Sequence, residues 1–215
     1  MKAKIIFILL CILPIFAMAQ DKENEAYLFN KFEKGVALYK GGNQIQSFFN
    51  YDLISGKIVF KDGNTVMELA NPELFDQISV GDRVFKYIKG ETFYEKVDIN
   101  NLDLYIEWKS QLISQGKNVG YGSSQSSAVN DVSHLSQNGS TYNLNSSEKF
   151  NLIPKNSYYV QLKGKYKRFN SAKSLAKLFK NHEDEILKYI DSEKIKFDSE
   201  EDIKKAVVFC SQFSD

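Results

Sequence analysis

Residues 35–108 read GVALYKGGNQIQSFFNYDLISGKIVFKDGNTVMELANPELFDQISVGDRVFKYIKGETFYEKVDINNLDLYIEW, short runs rich in Val, Ile, Phe and Tyr cut at close intervals by glycine. β-Branched and aromatic residues suit a pleated, half-buried surface, and glycine supplies the positive φ at which a chain reverses. The stretch therefore predicts a β-meander. Residues 36–39 end at Gly41-Gly42, and residues 45–51 carry Ile45, Ser47, Phe49 and Tyr51 on one face. Ser55-Gly56 turns into 57–60, and Asp62-Gly63, the clearest hairpin signal in the chain, leads into 65–69. Pro72 interrupts the pattern because it brings no ladder donor. Strands resume over 75–80, 83–88 and 92–99. Over 102–108, Leu102, Leu104, Ile106 and Trp108 share one face and Asp103, Tyr105 and Glu107 the other, which implies one buried and one wet side.

Upstream of the meander, residues 1–19 have the parts of a secretory signal. Lys2 and Lys4 precede an apolar run from Ile5 to Phe16, and Ala17-Met18-Ala19 offers small residues where a signal peptidase reads. The run is short for a membrane span and polar residues follow it directly. A lipoprotein reading of Cys11 is disfavoured by Leu10 before it. Cleavage is expected after Ala19, with the product exported to the periplasm or outside the cell. Residues 21–34, rich in charge with Ala26, Leu28 and Phe32 interspersed, read as a short helix or a lead-in.

Removing residues 1–19 from the 215 leaves 196 residues, with 26 basic against 27 acidic side chains. Such a balance gives no global field to draw in nucleic acid or an anionic surface. Only Cys210 remains, so the fold has to stand without an intramolecular disulfide. No later apolar run reaches membrane-spanning length, so the mature chain is expected to lie outside the membrane.

Downstream, residues 118–148 change character. Ser, Asn and Gly supply 17 of these 31 residues and no Lys or Arg occurs. Too little apolar surface is present to offset the entropy of ordering, so a flexible segment is expected. A strand pair over 157–162 and 165–169 follows, joined near Gly164, and then three helices. Ser171 caps the first, which buries Leu175, Leu178 and Phe179; the second starts near Asn181 and turns Ile186, Leu187 and Ile190 inward. The third shows a capping box, Asp198 with Glu201 three residues on, ahead of Ile203, Ala206, Val207 and Cys210 at helical spacing. The fold class is α+β: an antiparallel meander or rolled sheet over 20–117, the flexible 118–148, then a strand pair and about three short helices over 149–215, packed on the same domain.

Chemistry is sparse. The histidines are His134, in the serine-rich segment, and His182, ahead of Glu183-Asp184. Neighbouring residues on a helix point apart, so this triplet reads as an acidic first turn that complements the helix dipole and not as a metal site. Gly120-Tyr121-Gly122-Ser123-Ser124 lacks the spacing of a nucleophile elbow or of a phosphate-binding loop. Asn138 and Asn145 fit the glycosylation acceptor pattern, which any Asn/Ser-rich segment generates. Cys210 falls on an apolar helix face and reads as packing. The aromatics Phe48, Phe49, Tyr51, Phe60, Phe85, Tyr87, Phe93, Tyr94, Tyr105 and Trp108 have a carbohydrate-binding reading, but in a meander they belong to the core. No catalytic set, metal site or cofactor is expected.

Charge patterning says more. Residues 163–180 hold seven cations and no acid, and residues 181–202 nine acids against three lysines. Lys163, Lys165 and Lys167 alternate and so are expected to share one face of a strand, with Tyr166 on the other, and Arg168 follows. They form a stripe that docks an anionic polymer or an acidic partner, or a solvated edge guarded against strand pairing, or a face balanced by the acidic helices. Nucleic acid is disfavoured, since base-stacking and groove-reading features are missing.

The order of KGVALYKGGNQIQSFFNYD, SVGDRVFKY, GYGSS, YYVQLKGKYKRF, KLFKNHEDEILKYI and FDSEEDIKKAV resembles that of a family of uncharacterised exported proteins from Gram-negative bacteria. The resemblance implies no activity and transfers no site residue. The expected function is a non-catalytic exported module that binds a protein or envelope component through Lys163, Lys165, Lys167 and Arg168. The alternatives are a secreted hydrolase with a site assembled from distant residues, and a structural envelope protein.

Overall fold

The structure, a computed structural model, describes residues 26–90, 92–114 and 150–214. The signal and cleavage site expected at 1–19, the 118–148 segment, His134, residues Gly120 to Ser124 and the Asn138 and Asn145 acceptor patterns lie outside the described residues.

Twelve strands and three helices make up the described chain. A sheet of ten strands holds β1 (Glu33–Tyr39), β2 (Gln44–Asp52), β3 (Lys57–Asp62), β4 (Thr65–Glu68), β5 (Phe75–Val80), β6 (Arg83–Lys89), β7 (Thr92–Ile99), β8 (Leu102–Glu107), β11 (Ser157–Leu162) and β12 (Lys165–Phe169). A separate pair is formed by β9 (Ser110–Ser114) and β10 (Phe150–Pro154). The helices are α1 (Ala172–Ala176), α2 (Glu183–Ser192) and α3 (Glu200–Ser211). The α+β reading, with its antiparallel meander, strand pair and three short helices, is what the chain adopts.

Strand order is β12-β11-β8-β7-β6-β5-β1-β2-β3-β4, and every pairing is antiparallel. Two meanders therefore share β1. Strands β1–β4 step outward on one side. After a 3-10 turn at Pro72–Leu74, β5 returns to the free edge of β1 and β5–β8 step outward on the other. Gly35 permits this junction: a Cβ there would lie 2.2 Å from the Ser79 carbonyl oxygen and 2.8 Å from the Phe49 ring.

The sheet curls without closing. Phe93 N–H donates to the Gly56 carbonyl (3.2 Å) and Ser110 N–H to that of Leu53 (2.7 Å), so the β2–β3 turn meets the β7 entry. From inside the curl the buried Tyr51 hydroxyl donates to the carbonyls of Phe93 (2.9 Å) and Trp108 (3.1 Å), while its ring stacks on Phe85. The middle of the inner face, with Phe49, Ile58, Ile78, Phe85, Leu104 and Ile106, is buried, while the face opens to solvent at Ile45 of β2 and at Lys165 and Lys167 of β12. Each such side chain contributes about 1.5–3 kcal/mol through area removed from water. The helices cover the β7–β8 end of this face with Leu175, Ile186, Ile203, Val207 and Cys210, all of them fully buried.

Several local expectations shift. Residues 26–32 are an irregular lead-in of bends with one bridge from Tyr27 to Asp52, clamped by the buried Asn50 side chain, which accepts from Phe29 N–H and donates to the carbonyls of Phe29 and Lys31. The cap of α3 is Ser199, whose hydroxyl accepts from Asp202 N–H at 3.3 Å, and not Asp198. Adjacent Asp and Ser are caps of similar strength, so spacing alone does not choose between them. Helix α2 starts at Glu183, because Asn181 has φ 73° and ends the preceding turn. Ser171 caps α1 as expected, within a reciprocal box with Ser174. The β9–β10 pair has no counterpart in the sequence reading.

Candidate binding surface

Strand β12 is one of the two free edges of the large sheet. It is joined to β11 by Lys163-Gly164, with φ 51° and 73°. Positive φ at both central residues is the turn whose twist matches that of paired strands. Lys163 therefore belongs to this turn and not to a strand face with Lys165 and Lys167. Within β12, Lys165 and Lys167 alternate onto the inner-face side with the buried Phe169, and Tyr166 and Arg168 project to the outer side. Lys163, Lys165, Lys167 and Arg168 are all exposed.

Among the described residues none of these four cations forms an ion pair. The ion pairs of the acidic helices are made within the helical region: Glu200 and Glu201 meet Lys204, Asp202 meets Lys205, and Glu185 meets His182. Arg168 instead donates to the Ser157 hydroxyl at 3.1 Å. The balanced-face reading is thus not realised as contacts, although the lysines do stand on a sheet edge.

Beside Arg168, the outer face of β7, β8, β11 and β12 carries a mat of tyrosines that the sequence reading missed. Tyr105 and Tyr166 meet edge to face at 4.9 Å, as do Tyr94 and Tyr159 at 5.4 Å. The Tyr159 hydroxyl donates to Glu107 at 2.9 Å, and that of Tyr105 lies 3.4 Å from both Asp103 and Gln161. Tyr94 and Tyr105 are each 3% exposed, which corrects the assignment of Tyr105 to a wet face. Burial, and then the neighbouring Glu107 for Tyr94 and Tyr166 for Tyr105, pushes both phenols up, so they remain protonated donors. Their alignment depends on strand register across 70 residues of chain, and no local spacing reports it.

The inner face holds one buried carboxylate. Glu95, 4% exposed, accepts from Trp108 Nε1 at 2.6 Å and from Arg83 at 3.0 Å. The Arg83 guanidinium lies over the rings of Trp108 (5.4 Å) and Phe29 (5.8 Å). Burial pushes the Glu95 carboxyl up, while Arg83 and Trp108 pull it down; Glu200 and Lys204 of α3 act on it more weakly with opposite signs. Satisfied by two donors, the group has the arrangement of a structural ion pair.

His182 precedes α2, stacks on Phe213 at 4.2 Å and reaches Glu185 at 3.4 Å with its side chain 41% exposed. Glu183, Asp184 and Glu185 form the acidic first turn. Cys210 is fully buried and its thiol is pushed up to about 12, which makes it a packing residue. Among the listed aromatics, Phe49, Tyr51, Phe85, Phe93 and Trp108 are core, and Phe48 is exposed. Among the described residues, two grooves can be named. One, of about 410 Å³, is lined by Lys57, Glu68, Asn71, Pro72 and neighbours; the other, of about 370 Å³, by Tyr39, Lys40, Asn43 and Leu74. Neither includes His182 or Cys210. Among the described residues no group of three His, Cys, Asp or Glu is placed to hold a metal ion, and no helix is long and apolar enough to cross a membrane.

No family model, curated protein or solved structure matches the chain.

Proposed function

We propose that the chain is exported, is cleaved after Ala19, and acts in the periplasm or outside the cell as a non-catalytic module that binds an acidic protein or envelope component. We place the docking surface at Lys163, Lys165, Lys167 and Arg168. One observation carries this reading: four exposed cations crowd one hairpin, and none has a carboxylate within ion-pair distance among the described residues. Like charges so close repel, and an acidic partner relieves that repulsion. Membership of the exported Gram-negative family resembled in the sequence belongs to the same proposal.

The test is affinity capture from native envelope extract, using the cleaved chain and a triple variant with Lys163→Glu, Lys165→Glu and Lys167→Glu. Recovery of the bound component should fall at least tenfold in the variant and fall with added salt, because exposed charges are screened within about 10 Å at 0.1 M. Equal recovery by both forms defeats the docking assignment. Export is checked separately: the chain isolated from the cell envelope or medium should begin at Gln20.

A further inference from the structure

We propose that β12 is a recognition edge, completed when an acidic extended peptide adds to it as an eleventh strand. This rests on the docking reading above and names both the partner's chemistry and the way it binds.

The backbone supplies the first half of the case. Across the two-residue turn, Leu162 pairs with Lys165, and the register continues Val160 with Lys167 and Tyr158 with Phe169. In an antiparallel pair, residues opposite one another alternate between exchanging both backbone hydrogen bonds and exchanging none, and the pair closing a two-residue turn exchanges both. Lys165, Lys167 and Phe169 therefore spend their N–H and C=O groups on β11. Those of Tyr166 and Arg168 point the other way, into the open side of the sheet. The register of β12 is unbroken, and the strand contains neither proline nor bulge. Those are the usual means of blunting an edge, and lysine is the one device present. The opposite edge differs: β4 has four residues, and Pro72 follows it closely.

Charge selects the occupant. A second copy pairing antiparallel through β12 sets lysine against lysine in a register centred on Tyr166 or Lys167 and arginine against arginine in one centred on Arg168, and directly opposed like charges are destabilising. An acidic strand meets cations on both faces, Lys165 and Lys167 on one side and Arg168 on the other, with Lys163 at the end. Acids spaced by two would lie opposite Lys165 and Lys167. Between them a β-branched residue would rest against Tyr166, whose ring is 39% exposed. An acidic segment held this way uses backbone hydrogen bonds for affinity and alternating side chains for specificity.

The probe is a fluorescein-labelled peptide of about eight residues alternating Glu with Val, roughly one strand long, titrated by anisotropy against the whole cleaved chain. Three further ligands are run beside it: the same peptide N-methylated at alternate amides in each of the two phases, a Lys-for-Glu version, and vesicles of anionic lipid. Strand addition predicts that one N-methylation phase weakens binding at least tenfold and the other far less. In the complex, amide exchange at Tyr166 and Arg168 should slow at least tenfold. The pair Lys165→Glu with Lys167→Glu should lose the Glu peptide and gain the Lys peptide, a swap that a misfolded variant would not show. If both N-methylated peptides bind like the parent, or the two amides exchange unchanged, charge alone docks the ligand: strand addition is wrong while the docking surface stands. Failure of the Glu peptide to bind, with or without vesicle binding, likewise overturns it. Equal envelope capture by the triple Glu variant removes the docking surface itself, so the two failures are distinguishable.

Discussion

Glu95 sits where a carboxylate is costly, and its partners decide what it does. Arg83 and the Trp108 indole hold it from the sheet, and Glu200 and Lys204 face it from α3. Because burial raises its pKa in the folded chain, the native state binds the proton more readily than the unfolded state. Stability from this group is therefore present below the ordinary glutamate pKa of about 4.3 and is lost as pH rises through the raised native value. Asp52, also raised by burial against hydrogen bonds from Ser55 and Ile54, adds in the same direction. Glu95→Gln keeps an acceptor for Trp108 and removes the titration. Denaturant unfolding across about pH 4–8 should show a shallower fall in stability for the variant than for the parent chain; an unchanged slope would contradict the assignment. None of this was legible in the sequence. Glu95 stands in a run of alternating residues whose pattern predicts a strand, yet it shares its face with Phe93 and Val97, and the Arg83 that makes this tolerable lies on the neighbouring strand.

At the scale of elements, the junction of the two meanders depends on one missing side chain. In Gly35→Ala the added methyl would meet backbone at 2.2 Å, a contact that only displacement of β1 from β5 can relieve. Overpacking of this kind costs about 1–3 kcal/mol and more where backbone must move. The variant should lose at least that in a denaturant titration, whereas Gly41→Ala, in open space with an unremarkable φ, should lose less than about 1 kcal/mol. Elements themselves were readable because turn chemistry and two-residue alternation act locally: Gly56, Gly63, Gly81, Gly90 and Gly164 all occupy positive φ at the expected reversals. Caps moved by a residue where two good capping residues were adjacent. Lys163 was misplaced for a related reason, since alternation in sequence does not reveal that the turn begins before the strand does.

For the whole molecule, strand order was the least accessible feature. Nothing local tells β5 to return beside β1, or β11 to pass over β9 and β10 and join β8. Those choices come from burying the apolar middle of the inner face, which is a property of the assembled sheet. The tyrosine mat and the edge character of β12 follow from that order, so the candidate surface at Lys163, Lys165, Lys167 and Arg168 was legible only as a run of cations and not as an edge. Absence of disulfides among the described residues leaves packing to hold this arrangement, with Cys210 serving as one more buried apolar group.

The pairing of β9 with β10 has a practical corollary. Ser114 and Phe150 are partners across a ladder, so the described residues on either side of 115–149 stand at neighbouring points about 5 Å apart. A body built in this way registers what is spliced between those points only weakly, because closure entropy changes by about 0.6 kcal/mol for each doubling of length. Replacing 115–149 with Asn-Gly should leave the melting midpoint equal or higher, and a lower midpoint would show that the excised residues contribute contacts of their own. If the midpoint holds, the doorway at Ser114 and Phe150 is a place where evolution or an engineer can graft a new payload without redesigning its carrier.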